Sequence, residues 1–288
     1  MSTIHSQNYY FKNGDITLLI DGVLFKLHRD MIEMHSIYFQ DIIQQIENGD
    51  DPTTSDEHPL VLPAGVCSAE TFGVICQFLY PRAVGVLPEI LIQEQEKWDS
   101  VLQATIPLQM SGLRKHVLAN FKGELHNNPG SAAKLLGMAV KYNDTPNSLK
   151  LRCLYTLVFL RRAISATEFV ALGENATSQV VAIRDRIRIL IAATPGYWTT
   201  IHRHYLCLGG TSCQNFIHER VFNDLKDTDP LQEYYRTDSS IFDIPEDNRI
   251  CANCGPIRID LAGTMAKDEL GGEIRRCGVG LGLLTVEE

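Results

Sequence analysis

The sequence predicts an α+β protein in which a short mixed sheet is capped by helices and followed by a helical extension and a loop-rich C-terminal region. Three observations carry this. Around Asp21-Gly22 the apolar residues Ile16, Leu18, Leu19 and Ile20, then Val23, Phe25 and Leu27, recur at strand spacing, the pattern of a hairpin closed by a tight turn. Directly after it the period changes, with Met31, Met34, Ile37, Tyr38 and Ile42 at helical spacing. From residue 127 to 192 apolar residues keep the helical period in one segment after another, and from Thr194 onward proline, glycine and cysteine interrupt it.

Residues 1–13 form a polar lead whose Tyr9, Tyr10 and Phe11 are expected to tuck onto the first strand. Ser36 lies inside the first helical run and marks an expected break between two short helices. Residues 47–58, ENGDDPTTSDEH, hold no periodic apolar residue, which predicts a mobile acidic surface insertion. Leu60, Val61 and Leu62 supply a short strand that Pro63 ends, and Ser68 with Glu70 opens a helix expected to run through Leu79. Residues 89–108 carry Ile90, Leu91, Trp98, Val101, Leu102 and Ile106, and a further helix is expected over 111–125 on Leu113, Val117, Leu118 and Phe121. The extension, 127–192, divides into helices over 131–143, 148–163, 165–173 and 175–193, each opened by Ser or Asn at a plausible cap. Residues 193–288 make up the cysteine-containing remainder.

The early residues carry a family resemblance. Asp15, a hydrophobic strand, Gly22, Phe25, His28-Arg29 and then Ser36-x-x-Phe39 resemble the start of a BTB (POZ) domain. The block Pro59 to Pro81, PLVLPAGVCSAETFGVICQFLYP, resembles the middle of the same fold. The resemblance implies that the helices over 89–125 are the last of this domain, which is drawn over 14–124. Leu135, Leu136, Ala139, Tyr142, Arg161, Thr167, Glu168, Leu172, Gly173 and Arg184 resemble the helical extension of fungal BTB proteins. The resemblance implies a non-enzymatic interaction module that forms a homodimer, with Asp15, His28 and Arg29 in a charged interaction pocket. It also implies protein partners, either as an adaptor to cullin-3 ubiquitin ligases or as a regulator assembled on chromatin. A hydrophobic-x-Glu signature often follows the Ser-x-x-Phe helix in cullin adaptors, but here Gln45 stands two places before Glu47, so the signature is absent in this register.

Composition narrows the function classes. Hydrophobic residues make up 44% and charged residues 21% of 288 positions, enough for a full core and ordinary for a soluble globular chain. Charge interrupts the longest apolar run, LYTLVFL, at Arg152 and Arg161-Arg162, so no transmembrane helix is read. The first residues lack a basic region followed by an apolar core, which predicts a cytoplasmic or nuclear protein and makes Asn143 and Asn175 chance glycosylation matches. A net charge of −9 opposes nucleic-acid binding, whose nonspecific affinity comes from cationic neutralisation of phosphates.

The sharpest chemical signal is Cys251-Ala-Asn-Cys254 with Cys207 and Cys213 upstream. Thiolates spaced Cys-x-x-Cys can both reach one tetrahedral ion when the backbone turns beneath them. Structural zinc on Cys207, Cys213, Cys251 and Cys254 is one reading, and four unrelated reduced thiols is the other. His202, His204 and His218 are substitutes for an upstream cysteine, and Cys277 is a spare. A redox Cys-x-x-Cys would need a helix start beside a sheet, which nothing before Ile250 supplies. His218-Glu219 opens like a zinc-protease helix, but Phe222 stands where the second ligand is needed. Gly278, Gly280 and Gly282 read as a flexible tail rather than a phosphate loop. The alternative function from another class is a zinc-dependent nucleic-acid binder, for which Arg249, Arg258 and Arg275-Arg276 are the available cations. No nucleophile, base and oxyanion set can be assembled for an enzyme.

Overall fold

The computed structural model describes residues 4–47, 54–81, 83, 86–121, 128–142, 145–193, 207, 211–226, 238–259, 261–267 and 269–286. The chain forms two compact units, Met1–Gly123 and Glu124–Glu288.

The first unit is built on a sheet of β1 (Ile4–Tyr10), β2 (Ile16–Ile20), β3 (Val23–Leu27) and β4 (Leu60–Val61) in the order β1-β3-β2-β4. β2 and β3 pair antiparallel from Ile16↔Leu27 to Ile20↔Val23, and the turn between them sets Asp21 at φ 50° and Gly22 at φ 79°. Two consecutive positive φ angles match the right-handed strand twist. Glycine meets the second at no steric cost, and aspartate is one of the few side chains that tolerates the first. The lead is itself a strand, β1, running parallel to β3 rather than packing on β2. Its side chains are mostly exposed, so it lacks the apolar alternation that marks a half-buried strand. β4 extends the other edge, parallel to β2 through Leu18↔Leu60 and Leu19↔Val61.

Three helices follow, α1 (Arg29–His35), α2 (Ile37–Glu47) and α3 (Ala69–Leu79), with α3 packing on the sheet through Phe72 against Phe25 and α1 packing on α2 and α3. Ser36 breaks α1 from α2 with an extended backbone, φ −143° and ψ 113°. Its buried Oγ donates to the Leu108 carbonyl at 2.6 Å and accepts the Phe39 N–H at 3.2 Å. One hydroxyl thus ends one helix, caps the next and drives Phe39 into the core, where it meets Phe72, which in turn meets Phe25 edge-on at 5.1 Å. Ser68 caps α3 by accepting the Thr71 N–H at 3.1 Å, as its sequence position predicts. The 89–108 segment gives a single 3₁₀ turn and then α4 (Gln95–Ala104), whose Trp98, Val101 and Leu102 are buried. α5 (Ser111–Ala119) stops short of the expected 125, and residues 122–127 lie outside those described.

The second unit is helical: α6 (Pro129–Tyr142), α7 (Asn147–Val158), α8 (Ala166–Leu172), α9 (Glu174–Ala193), α10 (Thr211–Lys226), α11 (Gly255–Ile259), α12 (Leu261–Lys267) and α13 (Glu269–Gly280). α6 packs on α7 and α8, and α9 packs on α7, α10 and α13. α7 ends earlier than its apolar pattern suggests. Its continuation is taken by a distant segment, with the Arg161 N–H on the Ser239 carbonyl at 2.9 Å and the Ile241 N–H on the Phe159 carbonyl at 2.7 Å. The glycines expected in a flexible tail instead belong to α13 up to Gly280, after which Leu283 and Leu284 turn back into the core. Asn147 then clamps the Thr285 backbone, donating to its carbonyl at 2.7 Å and accepting its N–H at 3.0 Å. No helix of the described residues is long and apolar enough to cross a membrane.

Gly137 marks a close approach of α6 to α8, because a Cβ there would run into the backbone carbonyl of Ala171. Backbone cannot swing aside as a side chain can, so Gly137→Ala is expected to cost about 3 kcal/mol, read as a lower urea midpoint at unchanged slope.

Candidate functional site: a cysteine cluster and a capped helix start

Cys213 sits in the first turn of α10, and Cys251 and Cys254 flank the turn that leads into α11. That turn is shaped locally: Ile250 donates its N–H to Asp247, and Cys254 and Gly255 both donate to the Cys251 carbonyl at 2.9 and 3.1 Å. It is also braced. The Asp247 carboxylate takes the N–H and two guanidinium N–H groups of Arg249, each at 2.9 Å. The guanidinium lies 4.0 Å from the ring centre of Phe216 on α10. Arg249 holds the Asp247 carboxyl down to about 2.

The ligand atoms of Cys207, Cys213, Cys251 and Cys254 all lie within 4.8 Å of one another, with the Cys207 and Cys251 sulfurs 3.7 Å apart. Four thiolates at the ~2.3 Å of a zinc–sulfur bond define a tetrahedron with edges of about 3.8 Å. The spacing therefore fits a tetrahedral ion, and it is far too long for a disulfide. The Cys251 N–H donates to the Cys213 sulfur at 3.3 Å. That bond favours the Cys213 thiolate, but burial and the adjoining Cys207 and Cys251 sulfurs outweigh it and the thiol pKa is raised. A bound cation removes this penalty by neutralising the crowded sulfurs. The four cysteines named from sequence are thus brought together. His218 lies on α10 outside the cluster, Cys277 lies on α13 beside Glu273, and His202 and His204 fall outside the described residues.

In the first unit, Asp15, His28 and Arg29 meet at the start of α1. The Asp15 carboxylate accepts the Arg29 main-chain N–H at 2.7 Å, capping the helix from across the hairpin because His28 at the N-cap offers no side-chain bond. The His28 N–H donates to the Tyr80 hydroxyl at 2.9 Å, and its ring packs against Phe11 and Tyr80, which also meet each other at 4.8 Å. Two features escaped the sequence reading. Asp56, in the acidic insertion, clasps β1 by accepting the Tyr10 hydroxyl at 2.6 Å and pairing with His5 at 2.9 Å. This bond to a carboxylate pushes the Tyr10 phenol up to about 12. The other is Arg162, which forks onto Glu168 at 2.7 and 2.8 Å and reaches Asp238 at 2.6 Å. Glu168 alone was legible, as the acid of a helix start.

Comparison with known proteins places the first unit. A model of the BTB/POZ domain matches residues 7–125. The comparisons with curated proteins and with solved structures returned no match. The match opens inside β1 and takes in the hairpin, the Ser36 break, α3, α4 and α5. Residues 7–125 of this chain are a BTB/POZ domain.

Proposed function

We propose that this protein is a non-enzymatic interaction scaffold: its BTB/POZ domain pairs two copies, and a zinc ion on Cys207, Cys213, Cys251 and Cys254 shapes the surface that the second unit offers to partners. The observation that carries the pairing is apolar exposure on the BTB/POZ unit. Met34 is 73% and Ile37 54% exposed at the α1–α2 corner, and Ile4 is exposed on the outer strand β1. Adjacent exposed apolar side chains mark interaction surfaces, and a two-fold interface would bury the same patch from each copy. Asp15 and Arg29 support it from beneath by fixing the start of α1. The occupant of the remaining faces is a protein, as adaptor or regulator. The missing hydrophobic-x-Glu signature gives no support for cullin-3. The arginines nearest the cysteines also disfavour a nucleic-acid role, since Arg249 is paired with Asp247 and Arg258 donates to the Ile244 carbonyl.

Sedimentation equilibrium of the full chain tests the pairing. The native chain is expected at twice its monomer mass at micromolar concentration, and Met34→Glu with Ile37→Glu at the monomer mass while keeping its helical circular dichroism. Asp15→Ala is expected to cost about 1 kcal/mol through the lost cap and to weaken the dimer. A native chain that stays monomeric at high concentration overturns the reading.

A further inference from the structure

We propose that the cysteine cluster is an oxidation-sensitive clasp, in which a peroxide joins Cys207 to Cys251 and expels the ion. This regulation rests on the zinc reading above. The cluster is asymmetric. Cys213 and Cys254 are 1% and 2% exposed, whereas Cys207 and Cys251 both reach the surface. The two accessible sulfurs are also neighbours at 3.7 Å, so they need close only to about 2.05 Å to bond. The Cys213 sulfur, by contrast, is buried and shares its charge with the Cys251 N–H. A hydrogen-bonded, shielded thiolate is the poorer nucleophile, so attack falls on the outer pair.

The remaining cysteines do not compete. Cys76 and Cys153 are fully buried, burial pushes the Cys67 thiol up to about 12, and burial with the Glu273 carboxylate raises Cys277. Each stays a thiol at neutral pH, whereas a metal-bound cysteine is held as thiolate.

The chemistry balances with hydrogen peroxide as oxidant. One outer thiolate attacks a peroxide oxygen, so a sulfur–oxygen bond forms, the oxygen–oxygen bond breaks and hydroxide leaves to take a proton as water. The second outer thiolate attacks the resulting sulfenic sulfur, the disulfide forms, and a second hydroxide leaves and becomes water. The two sulfurs lose two electrons and the peroxide gains two. Cys213 and Cys254 alone cannot complete a closed tetrahedral site, so zinc is released. A thiol reductant with added zinc reverses the change.

The test uses the full chain after zinc loading, with metal content measured before oxidation. Hydrogen peroxide is titrated against a zinc-sensitive dye, and alkylated peptides are mapped by mass spectrometry. The expected result is release of about one zinc per chain in step with a Cys207–Cys251 peptide, restored by dithiothreitol and zinc and unchanged in Cys277→Ser. Zinc retained while Cys67 or Cys277 is oxidised overturns the proposal, as does release with a different linkage or none. A chain that takes up no zinc on loading fails at the earlier step and sinks the zinc reading itself, so the two failures are told apart. Cys207→Ser is expected to lose the linkage; if that variant does not load, the peptide map of the native chain decides.

Discussion

Replacing Cys251 and Cys254 together by serine, or stripping metal with a strong chelator, is expected to loosen α10, the 247–254 turn and α11 while leaving the BTB/POZ unit folded. Structural zinc contributes apparent binding energies of about 10–16 kcal/mol in small peptides, so losing it here should remove on the order of 5 kcal/mol or more from the second unit. The reason is local. Besides the sulfurs, the 247–254 turn is held to α10 by the Arg249 guanidinium over Phe216 and by the charges of Glu219 and Arg220, and the brace sits on an exposed ion pair between Arg249 and Asp247. Exposed pairs contribute little. Hydrogen exchange read peptide by peptide checks the outcome: protection should vanish over 211–226 and 250–259 and persist over 16–27 and 69–79. Unchanged protection in all four segments would show that the cysteines are bystanders.

Glu168→Ala carries the next largest expected effect, about 3–4 kcal/mol, because it opens the α8 cap and takes the bidentate partner from a half-buried guanidinium, leaving it the exposed Asp238. Glu168 is 2% exposed and accepts both prongs of Arg162, and its Oε2 also takes the Ser165 N–H at 2.7 Å. In return Ser165 Oγ accepts the Glu168 N–H at 3.2 Å, so one acid closes a capping box and neutralises a cation. A fall of roughly 10 °C in melting temperature is expected, with Glu168→Gln intermediate because an amide keeps an acceptor for the cap. The same residue sets an acid limb. Burial acts to raise its pKa, but Arg162 and the Ser165 N–H overcome that and hold it below the ordinary glutamate range. Its contribution is therefore complete above the unfolded value and is lost as pH falls through the lowered native one. The mutant should show a shallower loss of stability toward acid than the native chain, measured by urea unfolding across pH.

Local chemistry was legible and long-range partnership was not. The Asp21-Gly22 turn, the Ser36 break and the Ser68 and Ser165 caps each leave a signal within a few positions, and each stands where the pattern put it. The Cys-x-x-Cys spacing pointed at the cluster for the same reason. β1 was hidden because its partner, β3, is reached by a parallel pairing that leaves no alternation in β1 itself. The end of α7 was misjudged because Phe159 and Leu160 suit a helix, and only the distant segment 239–241 takes their backbone away. Asp56 looked like a solvated acid in a loop, and nothing near it in sequence names His5 or Tyr10.

The amide of Asn147 opens α7 yet grips Thr285, on the far side of α13. A chain emerging from the ribosome therefore cannot close its helical half while residues 283–285 are still inside the tunnel. Until then, the surface of α13 around Gly278 that is destined to meet Leu284 stays bare, and that interval is when a holdase would have something to hold.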